Sequence, residues 1–177
     1  MQSASPVAGP APVATVPVGG EVLSLDWNKY RPFQVATGST DKSIKLWDLR
    51  SAGQQGGAAG PPPPGAPVGS GAGGQIISIC TGHEYAVRKV AFSPHSPTTL
   101  ASGSYDMTAR IWDTDHPSTS LSSVASRLGQ PAAGGIGATR QVHDAHTEFV
   151  VGLGWSLFQE GLIASTAWDM SVHLWRA

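Results

Sequence analysis

The sequence predicts an all-β fold built from three copies of one unit of short strands. Three observations carry this. A fixed spacing recurs: an aromatic residue, then Asp 14 positions later, then Trp 6 positions further on. The sets are Trp27–Asp41–Trp47, Phe92–Asp106–Trp112 and Trp155–Asp169–Trp175. The segments that end at the marker Trp alternate polar and apolar residues with period two, the mark of a strand with one buried face. No window sustains the 3.6-residue periodicity of an amphipathic helix. A unit this small cannot bury its apolar face alone, so the copies must stack on one another.

Taken in order, residues 1–20 carry no charge and four prolines, Pro6, Pro10, Pro12 and Pro17. They lack both the cationic start and the unbroken apolar stretch of a signal peptide, and a disordered lead-in is expected. The first unit covers about 21–50, with its fourth strand at 75–80. The second covers 82–113, with its fourth strand at 138–143, and the third covers 145–176. In the second unit, Val87–Phe92 places Val90 and Phe92 on one face, and Ser93-Pro94 turns the chain. Thr99–Ser104 is short and rich in small residues, as a strand pressed between neighbours must be. A tight turn at Tyr105-Asp106 leads into the alternating Thr108–Trp112. Four short strands ending in Trp-Asp form the pattern of one propeller blade, so the chain reads as three blades of a β-propeller.

The distance from Trp47 to Trp112 is 65 positions and from Trp112 to Trp175 is 63, against about 40–45 for such a unit. Two insertions account for the excess. In residues 51–74, 14 of 24 residues are Gly or Pro and none is charged. Such a segment cannot bury enough apolar surface to offset its ordering entropy. Residues 115–137 are rich in Ser, Ala and Gly, and both insertions are expected to be disordered loops beyond a third strand.

Composition narrows the function classes. Eleven Lys and Arg against 12 Asp and Glu give a net charge of -1, so no basic surface for nucleic acid is expected. No apolar run is long enough for a membrane-crossing helix, and no direct membrane insertion is expected. A single cysteine, Cys80, excludes an internal disulfide and suits a reducing compartment. It ends an apolar strand and reads as a packed small residue.

Motifs that suggest catalysis or cofactors fail on context. Gly69 to Gly74 fits GxGxxG, but a proline run precedes it and a strand follows, where phosphate binding needs a strand and then a helix. His143-x-x-His146 offers only two donors in sequence, so no metal is expected. His83, Ser102 and Asp106 are the residue types of a hydrolase triad, yet the set recurs as His146, Ser165 and Asp169. Recurrence favours scaffold, because a catalytic constellation is needed once. No catalytic residue and no cofactor are expected.

With these markers in place the chain resembles the WD-repeat β-propellers. Gly82-His83 and Ala145-His146 stand where that family has its Gly-His pair, each 23 positions before the turn Asp. The resemblance implies hydrogen-bonded tetrads of His83, Ser102, Asp106 and Trp112, and of His146, Ser165, Asp169 and Trp175. The first copy keeps Thr37, Asp41 and Trp47 but has Val18 at the His position, and the third ends Trp175-Arg176 rather than Trp-Asp. Within that family the strings GHEYAVRKVAFSP, SYDMTARIWD and HTEFVVGL look like the last blades of the receptors for type 2 peroxisomal targeting signals, the seventh-peroxin family. This closer resemblance covers about 21–176 apart from the insertions.

That family implies a non-catalytic cytoplasmic receptor that cycles to the peroxisome. It binds cargo bearing an amphipathic helix of pattern Arg-Leu-x5-His-Leu, together with a co-receptor and a docking complex. It also implies a seven-bladed ring, so three blades are expected to be the C-terminal part of a longer ring or to need another chain for closure, with open sheet edges. The alternative is a generic WD-repeat scaffold of the ubiquitin-ligase or chromatin type.

Ligand contacts in this family come from the residue before the turn Asp and from positions three and five after the Gly-His histidine. Here these are Thr40, Tyr105 and Trp168, and Ala86, Arg88, Phe149 and Val151, with Glu21 and Leu23 in the first copy. Tyr105, Phe149 and Trp168 would offer aromatic area to leucines of a helix. Glu21, or Glu84 and Glu148 nearby, would meet its arginine. Trp27 and Trp155 share the strand position of Phe92 and are expected in the core.

Overall fold

The computed structural model describes residues 15–50, 52, 74–115 and 135–177. Twelve strands run in chain order: β1 Val22–Trp27, β2 Gln34–Ser39, β3 Ile44–Asp48, β4 Gln75–Cys80, β5 Val87–Phe92, β6 Thr99–Ser104, β7 Ala109–Asp113, β8 Gly135–Ile136, β9 Ala138–His143, β10 Val150–Trp155, β11 Leu162–Ala167 and β12 Val172–Arg176. Among the described residues there is no helix. The strands form three sheets, in the orders β1-β2-β3-β4-β8, β5-β6-β7-β9 and β10-β11-β12. All pairings are antiparallel except the parallel β4–β8 contact.

The repeated spacing has a direct structural meaning. Trp27, Phe92 and Trp155 face Val35, Leu100 and Ile163 at the same rung of their sheets. The first strand of each blade carries a register shift at the same place: Val22/Ser24, Val87/Lys89 and Val150/Gly152. A bulge there bends the strand and increases its twist as the chain enters the blade.

The second strand must be thin because the next blade packs on it. Every residue of β2 and β6 is buried. A Cβ at Gly38 would come within 2.8 Å of Val87 Cγ1, and one at Gly103 within 2.8 Å of Val150 Cγ1. Each glycine thus admits the first valine of the following blade. The third copy has Thr166 at this position, and among the described residues no following blade packs on it.

The core lies between blades. Ala36, Ile44 and Leu46 of the first blade meet Val87, Val90, Phe92, Leu100 and Trp112 of the second. Ala101 and Ile111 of the second meet Ile163, Leu153, Trp155 and Trp175 of the third. Among the described residues the outer faces have no such partner. Leu25 and Trp27 on the first blade and Val172 and Leu174 on the third are exposed.

Several expectations need correction. Trp27 is 49% exposed whereas Phe92 is 1% exposed, because the packing that buries Phe92 comes from a neighbouring blade and, among the described residues, none lies on Trp27's side. Trp155, by contrast, packs against the core as expected, half-buried, with its indole N–H donating to the Ala91 carbonyl at 2.9 Å. Residues 15–20 are not a free lead-in: Val18 is buried and its carbonyl accepts from Lys45 Nζ at 2.7 Å. The insertion at 115–137 is anchored at both ends. Arg31 makes a two-pronged ion pair with Asp115, and β8 adds to β4. Among the described residues, the surfaces left without a neighbour are faces of the end blades as well as the outer edge of β12. The rest of both insertions, including the GxGxxG string up to Gly73, and residues 1–14 lie outside the described residues.

Candidate functional site

The turn between the second and third strand of each blade is built the same way. Asp41, Asp106 and Asp169 each accept, at Oδ1, from the backbone N–H and the hydroxyl of the residue two ahead. The hydroxyl bonds from Ser43, Thr108 and Ser171 are all 2.6 Å. The residue between them is left-handed in every copy: Lys42 at φ 69°, Met107 at 66° and Met170 at 62°. Three non-glycine residues held in that region show that the turn Asp dictates the loop.

In the second blade the other carboxylate oxygen of Asp106 accepts from His83 Nδ1 at 2.7 Å, and from the Glu84 backbone N–H at 3.0 Å. His83 Nε2 lies 2.7 Å from Ser102 Oγ, which in turn accepts from Trp112 Nε1 at 2.8 Å. The third blade repeats this with His146, Asp169, Ser165 and Trp175 at 2.8, 2.8 and 3.1 Å. Burial pushes the Asp106 carboxyl up, but the His83 and Thr108 hydrogen bonds and the His83 charge outweigh it and hold it well below the usual carboxylate range. At Asp169 the Ser171 hydroxyl does most to hold the carboxyl low, against an opposing effect of burial and with help from His146. Ser102 and Ser165 are fully buried, so these sets hold sheets together and present no nucleophile to solvent.

The first blade solves the same problem differently. Val18 occupies the His position and gives no donor. Lys45 Nζ reaches Asp41 Oδ2 and the Val18 carbonyl instead, and Trp47 Nε1 donates to Thr37 Oγ1 at 2.9 Å. Burial raises the Asp41 carboxyl, yet bonds from Lys45, Ser39 and Ser43 bring it far below its ordinary value.

The predicted rim residues meet at one end of the strands. The residue before each turn Asp donates its N–H to the residue three after the His position. The pairs are Thr40 to Glu21 at 3.0 Å, Tyr105 to Ala86 at 3.1 Å and Trp168 to Phe149 at 3.1 Å. Tyr105, Phe149 and Trp168 form one aromatic cluster, with ring centroids 4.9 Å (Tyr105–Phe149), 5.3 Å (Phe149–Trp168) and 6.4 Å (Tyr105–Trp168) apart. Trp168 remains 61% exposed. Glu21, Thr40, Glu84 and Glu148 are exposed, and Leu23, Ala86 and Val151 are half-buried. Arg88 is drawn away from the rim's surface chemistry: its guanidinium donates to the Leu23 carbonyl at 3.3 Å and so ties two blades together.

Some rim features escape reading by spacing. Lys42 Nζ lies 5.9 Å from the Tyr85 ring centroid, and Tyr85 is exposed. Its position next to Gly82-His83 was the available signal. His173 is a second case. It brings a third imidazole beside His143 and His146, which correct the two-donor count of the sequence. Its place four positions after Asp169, where Lys45 and Arg110 stand in the other copies, could have pointed to it. The cavities lie elsewhere. One of about 440 Å³, lined by His95, Thr99, Arg140 and Trp155, opens at the opposite strand ends. One of about 260 Å³ lies on the outer face of the third blade beside Leu162 and Leu174.

Burial places Cys80 at 1% exposure and pushes its thiol up to about 12, against a small opposing effect of the Gly137 N–H. It is a packing residue beside β8, with no thiolate at neutral pH.

Comparison with known proteins agrees with this geometry. The family model described as WD domain, G-beta repeat matches residues 12–48 and 74–113. The chain is 38% identical over 159 residues to the peroxisomal targeting signal 2 receptor of Saccharomyces cerevisiae, covering 89% of this chain and 40% of that protein. It is 44% identical over 95 residues to the receptor of the same name from Komagataella phaffii, covering 53% of this chain and 24% of that protein. It is also 29% identical over 155 residues to the histone acetyltransferase type B subunit 2 of Debaryomyces hansenii, covering 87% of this chain and 32% of that protein. The chain thus spans less than half the length of the curated relatives it matches. The repeated Asp turns, imidazole tetrads and Trp-ended third strands are similar to those of WD repeats, which the family model matches in the first two blades.

Proposed function

We propose that the chain is a non-catalytic receptor module for type 2 peroxisomal targeting signals, taking the apolar face of the signal helix on the Tyr105–Phe149–Trp168 cluster. That cluster carries the reading. Three aromatic rings contributed by two adjacent blades lie together on one rim, and a 61% exposed tryptophan is a typical anchor for leucine side chains. The similarity to the two yeast receptors supports it. Glu21 is the proposed partner of the signal's arginine, Thr40 its neighbour on the rim, and Arg88 a support for the first blade's backbone. The partners are cargo proteins with such signals, a co-receptor and a docking complex. The place of action is the cytoplasm with cycling to the peroxisome.

The test is binding of a fluorescent Arg-Leu-x5-His-Leu peptide, with co-receptor present, to the wild-type chain and to Trp168→Ala. Loss of one anchor should weaken binding at least about tenfold, and an Arg→Asp peptide should bind poorly. Unchanged affinity in Trp168→Ala would remove the cluster from the binding site. The similarity to a histone acetyltransferase subunit favours a second reading, a scaffold in a multiprotein complex. A folded chain that ignores the signal peptide would support it.

A further inference from the structure

The imidazoles of His143 on β9 and His173 on β12 face each other across the junction of the second and third blades, His143 Nε2 lying 3.0 Å from His173 Nδ1. The surrounding hydrogen bonds set the direction of each donor. Ser171 Oγ donates to Asp169 Oδ1 at 2.6 Å, so towards His173 Nε2, at 3.2 Å, it acts as acceptor. His173 therefore carries its proton on Nε2 and presents a bare lone pair at Nδ1, which takes the N–H of His143 Nε2. One tautomer change in His143, moving its proton to Nδ1, points two nitrogen lone pairs at one spot.

We propose that His143 and His173 form a two-histidine site for a borderline divalent cation such as Zn²⁺, which takes the place of the shared proton and clamps β9 to β12. Two nitrogens on a tetrahedral ion with bonds of ~2.0–2.1 Å lie roughly 3.3 Å apart, so the observed pair needs to open by only a few tenths of an ångström. Imidazole donors select Zn²⁺, Cu²⁺ or Ni²⁺ over Ca²⁺ or Mg²⁺. Both residues are only partly buried, which leaves an entry path and room for water in the remaining positions.

His146 is not a third ligand. Both its nitrogens are held, by Asp169 and by Ser165. Its ring also stacks on His173 at 3.9 Å between centroids and 8° between planes. In-plane lone pairs of two stacked rings cannot converge on one ion. The charged groups near the pair are Asp169 through Ser171, and the exposed Asp144; the ring of Trp175 stacks on His143 with centroids 4.7 Å apart. That stacking supplies a local reporter.

The test is calorimetric titration of the untagged full chain with ZnCl₂ at pH 7.5, beside His143→Gln, His173→Gln and the control His95→Gln. The expected result is one saturable site in the wild type and in the control, weakened at least about tenfold in each of the other variants. CuCl₂ should quench Trp175 fluorescence, judged against Trp175→Phe, and His143→Gln should abolish that quenching. His143→Gln leaves β12 untouched and decides the matter if His173→Gln fails to fold. No saturable binding by the wild type, or equal affinity in His143→Gln, would overturn the site and leave the pair as a hydrogen bond between blades.

Discussion

The first and second blades share one spacing and one turn, yet hold their turn aspartates by different chemistry. In the second, Asp106 has a 4% exposed side chain and is bonded by an equally buried His83. In the first, Asp41 has a 32% exposed side chain and is bonded by Lys45. A buried carboxylate must be paired on every side, which a rigid two-nitrogen ring does by linking Asp to the strand serine. A partly solvated carboxylate is satisfied by a flexible amine and water. The requirement common to both blades is that the turn Asp is held and the Trp N–H answered. The histidine goes with the buried carboxylates, Asp106 and Asp169, and the lysine with the more exposed Asp41.

The sharpest way to break this comparison is to delete each aspartate. Asp106→Ala strips partners from His83, Thr108 and the Glu84 N–H and should cost ~3–5 kcal/mol in urea unfolding. Asp41→Ala should cost about 1–2 kcal/mol, because water can replace what is lost. Equal costs would show that exposure does not govern the tetrad's value.

Acid should reproduce part of the larger effect. The folded Asp106 carboxyl is held low, so the unfolded chain binds its proton first. Its stabilisation is complete above the unfolded value near ~3.9 and is lost as pH falls through the lower folded value. Wild-type stability should therefore fall steeply below about pH 4, and the fall should be shallower in Asp106→Ala. Parallel acid limbs in chemical denaturation would contradict the assignment.

The smallest effect separates the two cations at the equivalent position. Lys45→Met removes the only side-chain cation on Asp41 among the described residues and the donor to the Val18 carbonyl. It should cost about 1–2 kcal/mol. Arg110 stands 3.7 Å from Asp106 beside a histidine that already pairs it, so Arg110→Met should cost about 0.5 kcal/mol or less. Reversed magnitudes in thermal melts would mean that Lys45 is not the stand-in for the missing histidine.

Much of the fold was legible because the repeat carries its own consistency check. The 14 and 6 position spacing places a marker at the same rung of every blade, and the fourth strands expected before each next repeat, Gln75–Cys80 and Ala138–His143, are β4 and β9. Tyr105, Phe149 and Trp168 were singled out through the family resemblance, and the structure brings their rings together. The bond from Arg88 to Leu23 was not legible, because a residue's position does not reveal whether its long side chain turns to solvent or to a neighbouring carbonyl. Trp27 misled for a related reason. Strand position predicts which face a residue takes, but burial depends on another blade covering that face.

By itself, the sequence determined the all-β class, the turn aspartates and the places of the insertions; the tetrad pairings were implied by the family resemblance. The first three follow from short-range periodicity and from hydrogen bonds whose donors and acceptors are few and fixed in type. Only the tertiary structure decided that Lys45 answers for Val18, that Asp115 and β8 tie the second insertion to the first blade, and that His173 joins His143. Those contacts join residues 27 to 84 positions apart. Side-chain reach across a stacked interface, unlike strand alternation, leaves no period in the chain.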